Sequence, residues 1–467
     1  MQYISTRGSA PPLDFEGVTL AGLASDGGLY VPAEWPCFSA AQIRAMRGLA
    51  YPDLAARIMA PFVTPSLSAD ELRSLCHKVY SDFGHAAVTP LVQLDTQHWL
   101  LELFHGPTLA FKDVALQLLG RLFEIFLARR GERLTIVGAT SGDTGSAAIQ
   151  AVAGLEQVEI FMLHPRGRVS EVQRRQMTTV RAPNVHNLAI AGSFDDAQAH
   201  VKRMFTDRAV TSVLNLGAVN SINWARLMAQ VVYYFASALQ LGAPERKVAY
   251  SVPTGNFGDV FAGYVAAKMG LPIERLIVAT NINDILHRAL SAGDYSASGV
   301  KPTITPSMDI QVSSNFERLL FDLGGRDGAA LAEQMRAFEQ TKAMQLTEAQ
   351  AQGAAALFAS ARADHGETTS AMQWAYRAAG EVIDPHTAVG LHAARVLAPS
   401  LPVGVPVVTL ATAHPAKFPD AVERAIGLRP ALPARVGDLF ARAESFAELP
   451  GDYAATRDYV LGHARRV

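Results

Sequence analysis

Short β-branched and apolar runs alternate with helical stretches from about residue 134 onward. The runs Leu134–Thr140, Val158–Leu163, Val185–Ile190, Lys247–Val252, Arg275–Thr280 and Val405–Leu410 predict strands. Between and after them, Gly145–Leu155, Ser170–Val180, Asp195–Phe205, Ser221–Leu241, Asp259–Met269, Asp284–Ser291 and Asp420–Ile426 predict helices. Strands that alternate with helices imply βαβ units and parallel sheets covered by helices, with ligands bound where a strand's carboxyl end runs through a loop into a helix.

The chain before about Val88 is different in character. A turn at Ser25-Asp26-Gly27-Gly28 precedes amphipathic patterns at Ala40–Leu49 and Ser68–Tyr80, predicting a helix-rich N-terminal domain over residues 1–90. Ser68/Glu71 and Ser170/Gln173 have the spacing of capping boxes, which is helix-start chemistry. Gly328–Arg362, rich in Ala, Gln and Glu, reads as helical throughout and as a surface insertion.

Composition narrows the class. With 467 residues, 49% hydrophobic and 18% charged, the chain is globular and long enough for two or three domains. Lys and Arg total 41 against 43 Asp and Glu, a net charge of -2, which gives no global attraction to nucleic acid or anionic membrane. The only cysteines, Cys37 and Cys76, exclude a disulfide scaffold and fit a reducing cytoplasm. No signal peptide is expected, because the first twenty residues hold Arg7, Asp14 and Glu16 and no apolar run. The apolar stretch Leu397–Ala413 contains three prolines and a glycine, too broken for a membrane span.

The 36 glycines never form Gly-x-Gly, so the dinucleotide fingerprint is absent; so are a P-loop, a zincin helix and a Gly-x-Ser-x-Gly elbow. The histidines show no close ligand spacing, and no metal is expected. Three strand-loop-helix junctions do suggest chemistry. Thr140-Ser141-Gly142-Asp143-Thr144-Gly145 and Thr254-Gly255-Asn256-Phe257-Gly258 combine small residues, hydroxyls and a following helix start, which suits an anion better than a bare turn and cap would require. Ala411-Thr412-Ala413-His414 places a hydroxyl at a strand's carboxyl end. Eight lysines leave 33 arginines, so candidates for a Schiff-base amine are few. Lys112 precedes an apolar helical pattern and is the first choice, with Lys417 the serious rival.

These segments, taken in order with Ser5-Thr6-Arg7-Gly8, Ser25–Pro32, Phe104–Asp113, Asn220–Arg226 and Asp309–Leu320, resemble the threonine synthases of the type-II pyridoxal-phosphate fold, the tryptophan-synthase-β-like family. The resemblance runs through nearly the whole chain. It implies an α/β fold with two parallel-sheet αβα domains and the helix-rich N-terminal domain. Residues 91–130 and 216–467 would form a large cofactor-binding domain with a helical insertion at about 326–366, and residues 131–215 a small domain. It implies that pyridoxal 5'-phosphate is bound through Lys112, with its phosphate held by Gly255, Asn256, Phe257 and Gly258 and its ring nitrogen bonded to Thr412. Ser141, Gly142, Asp143 and Thr144 would face the substrate's carboxylate end. Asn220, Ser221, Asn223 and Arg226 would face the phosphate of O-phospho-L-homoserine, a small-molecule substrate handled by a monomer or small homo-oligomer. Asp143 stands where many relatives have Asn. Alternatives are a serine/threonine dehydratase or an O-phosphohomoserine phospho-lyase on the same fold, and a catalytically silent binding or signalling relative.

Overall fold

In the computed structural model, which describes residues 1–465, two separate parallel sheets organise the chain. The larger sheet runs in the order Phe358–Arg362, Ile273–Thr280, Val248–Pro253, Val407–Ala411, His98–Glu102, Leu91–Gln93. All neighbours are parallel except the last two, a hairpin whose turn is closed by Asp95 Oδ1 accepting the amides of Gln97 and His98. Every residue of Val248–Pro253 and Val407–Ala411 is buried, as continuous apolar runs in a parallel sheet require. The smaller sheet runs Ala447–Leu449, Val185–Ile190, Val158–Pro165, Leu134–Ala139, Leu216–Gly217, all parallel.

The opening residues form helices Phe15–Ala21, Ala40–Arg44, Tyr51–Val63 and Ala69–Tyr80, with a small hairpin of Tyr3–Ser5 and Tyr30–Pro32. The Ser68/Glu71 capping box is present. This segment has no core apart from the rest. Tyr3 and Phe62 pack on Trp224 with ring centroids 5.8 and 5.7 Å away, and Phe15 meets Phe126 edge-on at 6.0 Å. It thereby buttresses helices Lys112–Arg130 and Trp224–Gln240, the two that approach the site described below.

Two regions depart from the sequence reading. The stretch 328–362 is helical only through Gly328–Thr341 and Glu348–Leu357; Phe358–Arg362 is an edge strand paired with Ile273–Thr280. Its Ala-rich composition favours helix locally, but ladder pairing and burial of Phe358 and Ala361 override that preference. Residues 216–467 are expected in the larger domain, yet Leu216–Gly217 and Ala447–Leu449 each add an edge strand to the smaller sheet. Helix Tyr453–His463 places Tyr453 and Val460 in that sheet's core with Leu188 and Ile190. Three residues of strand are too short a signal to assign to a sheet from pattern alone. Among the described residues, no helix is long and apolar enough to cross a membrane.

Candidate active site

Lys112 is the first residue of helix Lys112–Arg130, and the segment leading to it is laced to the end of strand Val407–Ala411. Leu103 N donates to Ala411 O (3.0 Å), Phe111 N to Thr412 O (2.8 Å) and His414 N to Leu109 O (3.0 Å). Asp113 closes the preceding loop by accepting from Thr108 N and Thr108 Oγ1, both at 2.8 Å. Gly106 is required there, since a Cβ would lie 2.3 Å from that of Asp113. The Lys112 side chain is nearly buried, its Nζ 4.8 Å from the Phe111 ring centroid and 3.7 Å from Asp143 Oδ2. Burial lowers its pKa; Asp143 opposes that, while Lys417 and Arg226 add to it.

Lys417, the rival amine, is fully engaged. Its Nζ donates to Thr108 O (2.7 Å) and Gln176 Oε1 (2.9 Å) and pairs with Asp143 Oδ1 (3.0 Å), three acceptors for three protons. Lys112 is therefore the amine available for covalent chemistry.

The loop before helix Asp143–Val152 is built around two side chains. Thr140 Oγ1 accepts the amides of Gly142 and Gly145, each at 2.9 Å. Gly142 has φ +143°, and a Cβ there would lie 2.5 Å from Gln173 Cδ, so glycine is what lets Gln173 reach in. Gln173 Nε2 then donates to Asp143 Oδ1 at 2.8 Å. The predicted Ser170/Gln173 capping box is thus only half made: Ser170 Oγ accepts from Gln173 N, but Gln173 Oε1 accepts from the Ser170 hydroxyl and not from its backbone amide, while Nε2 turns to Asp143. Burial pushes the Asp143 carboxyl up, but Lys417, then Lys112 and Gln173, outweigh it and hold it well below the usual carboxylate range. Ser141 is exposed and Thr144 half-buried, and among the described residues the amides of Ser141, Asp143 and Thr144 have no partner.

The loop Gly255-Asn256-Phe257-Gly258 lies at the end of strand Val248–Pro253 and starts helix Gly258–Lys268. Among the described residues none of its four amides donates a hydrogen bond, so all are available to an anion. Its carbonyls are instead fixed from behind. Ser313 Oγ donates to Gly255 O (2.7 Å), and Asn315 donates through N and Nδ2 to Asn256 O (3.1 and 2.9 Å). Arg318, fully buried, donates to Asn315 Oδ1, Tyr30 O and Ile222 O. A Cβ on Gly255 would approach Ser307 O to 2.5 Å, and Phe257 takes a left-handed φ of +64°. Asp259, in the first turn, has its pKa pushed up to about 6 by burial, against the Val260 amide and Lys112.

Of the residues expected near a substrate phosphate, Arg226 is 3% exposed and donates from Nη1 to Val219 O at 2.8 Å, while its Nε has no partner. No carboxylate pairs with it among the described residues, and burial alone lowers its pKa to about 10. A buried, unpaired guanidinium is costly unless an anion joins it. Asn223 is different: Oδ1 caps the helix at Ala225 N and Nδ2 donates to Thr19 O, so its side chain positions the helix and does not face a ligand. Asn220 is exposed and Ser221 half-buried, its carbonyl bonded to Asn315.

Thr412 is buried, and its hydroxyl has no partner among the described residues, as a group awaiting a ligand would. A free, desolvated amine, a cradle of open amides, a free hydroxyl and an unpaired guanidinium together fit pyridoxal phosphate and a phosphorylated substrate. Sequence reasoning did not single out Ser307, His386 or Asp384. His386 Nδ1 is held by Asp384 Oδ1 (2.9 Å), its Nε2 accepts from Ser307 N (3.4 Å), and Ser307 Oγ lies 3.5 Å from Asp143 Oδ2. No local motif marks them; the Asp384-Pro385 helix start was the one available signal.

Two parallel sheets, with a lysine at a helix start beside an amide-lined loop at strand carboxyl ends, define a type-II pyridoxal-phosphate enzyme. Residues 83–367 match the family "Pyridoxal-phosphate dependent enzyme". Residues 2–80 match "Threonine synthase N terminus" and residues 387–460 match "Threonine synthase, C-terminal". Threonine synthase of Pseudomonas aeruginosa is 56% identical, covering 100% of this chain and 99% of that protein. A crystal structure of PLP-bound threonine synthase from Brucella melitensis superposes with a TM-score of 0.97 at 52% identity, covering 100% of both chains. The yeast threonine synthase structure gives 0.95 at 40% identity, covering 99% and 98%. The chain belongs to the threonine synthase family.

Proposed function

We propose that this protein converts O-phospho-L-homoserine and water to L-threonine and phosphate, with pyridoxal phosphate held on Lys112. The observations that carry this reading are a desolvated lysine whose amine makes no hydrogen bond and lies 3.7 Å from Asp143 Oδ2, and a buried arginine that has no counter-ion among the described residues. When bound, the cofactor supplies an electron sink for the substrate's α-carbon.

Everything else falls to the chain. The amides of Gly255 to Gly258 hold the cofactor phosphate, stiffened from behind by Ser313 and Asn315. The Thr412 hydroxyl bonds the ring nitrogen. Ser141 and Thr144 receive the substrate carboxylate on loop amides and hydroxyls, Gly142, whose amide Thr140 holds, shapes the loop between them, and Arg226, with Ser221 and Asn220 beside it, receives the substrate phosphate. Asn223 serves this site by capping the helix that bears Arg226. The Lys112 amine would take and return the proton at the substrate's α-carbon, a role suited to an amine whose pKa burial has lowered. Asp143 Oδ2 lies 3.7 Å from Lys112 Nζ. We place the reaction in the cytoplasm, performed by a monomer or small homo-oligomer without nucleic-acid or membrane partners, which the balanced charge of -2 supports.

The test is an absorbance spectrum of purified, cofactor-supplied protein before and after O-phospho-L-homoserine, with threonine and phosphate assayed together. Equal release of both, with a spectral shift on adding substrate, is expected. Phosphate with 2-oxobutyrate and ammonia would make the protein a phospho-lyase instead.

A further inference from the structure

Asp143 is an anion inside a loop that should attract one, and the environment of its two oxygens resolves the conflict. Oδ1 takes Lys417 Nζ at 3.0 Å and Gln173 Nε2 at 2.8 Å, while Oδ2 faces Lys112 Nζ at 3.7 Å and Ser307 Oγ at 3.5 Å. Lys417 cannot drift, because Thr108 O and Gln176 Oε1 hold its other two protons, and Gln176 Nε2 itself donates to Thr108 O at 2.9 Å. It ends the turn Pro415–Lys417, so the strand that delivers Thr412 delivers Lys417 as well.

We propose that Lys417 is a positioning residue that acts through Asp143: it neutralises that carboxylate and turns one oxygen toward Lys112, so that the Lys112 nitrogen faces an ion pair and not a lone carboxylate and can release its proton near neutrality. The proposal rests on Lys112 being the cofactor's anchor. An unshared carboxylate at this distance would hold the amine protonated, since an opposite charge within about 4–6 Å favours the charged form by about 1–3 in pKa. Lys112 faces Asp143, Lys417, Arg226 and Asp259; Asp143 faces Lys417, Lys112 and His386. Arg226, Asp259 and His386 are the same in every variant below, so their contributions drop out of the comparison.

The test follows the absorbance of the Lys112-linked cofactor against pH in the full-length protein without substrate, with a thermal midpoint for each variant as fold control. Lys417→Met should raise the titration midpoint by about 1 pH unit or more, and Asp143→Asn should lower it by a similar amount. The double variant should titrate close to Asp143→Asn, because Lys417 has no carboxylate left to act through. A folded Lys417→Met that titrates like wild type, or a double variant that titrates like Lys417→Met, overturns the proposal, the second because Lys417 would then act without Asp143. If Lys417→Met does not fold, Asp143→Asn decides: an unmoved midpoint overturns the proposal. Absence of a cofactor band in wild type overturns the Lys112 reading and this proposal together, whereas a normal band with unmoved midpoints overturns this proposal alone.

Discussion

The two loops at Thr140–Gly145 and Thr254–Gly258 look alike in composition but are finished in opposite ways. In the first, the amides of Gly142 and Gly145 are taken by Thr140, and the loop holds its own anion, Asp143, countered by Lys417 and Gln173. In the second, four consecutive amides are open among the described residues, and Ser313 and Asn315 hold the loop through its carbonyls. A glycine-rich helix start is therefore a phosphate cradle only when its donors are left free. In the first loop Thr140 takes two of the donors and makes a rigid platform that aims a side chain, while the amides of Ser141, Asp143 and Thr144 stay open among the described residues. The first loop aims Asp143 at Lys112; the second leaves its helix start to an anion.

Variants that attack each side should separate these roles. Lys112→Ala, which removes the amine that Asp143 faces, should abolish the Lys-linked absorbance band and reduce threonine formation by at least about a thousandfold. Arg226→Met should raise KM for the phosphorylated substrate by about ten- to a hundredfold, as loss of a charge-assisted contact implies. It should leave thermal stability unchanged or higher, because it removes a buried unpaired charge; a marked fall in thermal midpoint would instead make Arg226 structural. Gly255→Ala forces a Cβ toward Ser307 O, and at a cost of about 1–3 kcal/mol it should weaken cofactor affinity roughly five- to a hundredfold by equilibrium titration. Gly142→Ala should barely change cofactor affinity but should break the Gln173–Asp143 bond, visible as a shifted pH profile for the cofactor band.

The smallest effect concerns Asp259, raised to about 6 in the folded protein from an ordinary value near 3.8. Between those values the folded state keeps a proton that the unfolded state has lost, so this group's contribution falls as pH rises from about 4 to about 6 and is constant above. Asp259→Asn should remove that slope, at most about 1.4 kcal/mol per pH unit, in denaturation of the cofactor-free protein compared with wild type.

Much of this was legible from the chain alone. Apart from the short helix Arg208–Thr211 and strand Leu216–Gly217, the order of strands and helices from 134 to 291 follows from periodicity, with ends displaced by only a few residues, because a buried strand must be apolar and a helix start needs a cap whatever the tertiary context. Lys112, Thr412 and both loops could be nominated because their chemistry is local: a hydroxyl or glycine at a strand end is visible in ten residues. What the sequence could not decide was which groups were already paired. Lys417 is a serious rival to Lys112 on paper, and only packing shows that three acceptors from residues 108, 143 and 176 claim it. Asn223 and Arg226 likewise sit three residues apart, yet one is consumed by a cap and by Thr19 while the other is left with an idle Nε. Likewise, Phe358–Arg362 and Ala447–Leu449 become strands only because a partner edge is present. Propensity and pattern act over a few neighbouring residues. Hydrogen-bond satisfaction and charge pairing are settled by groups hundreds of positions apart, and so they belong to the tertiary structure alone.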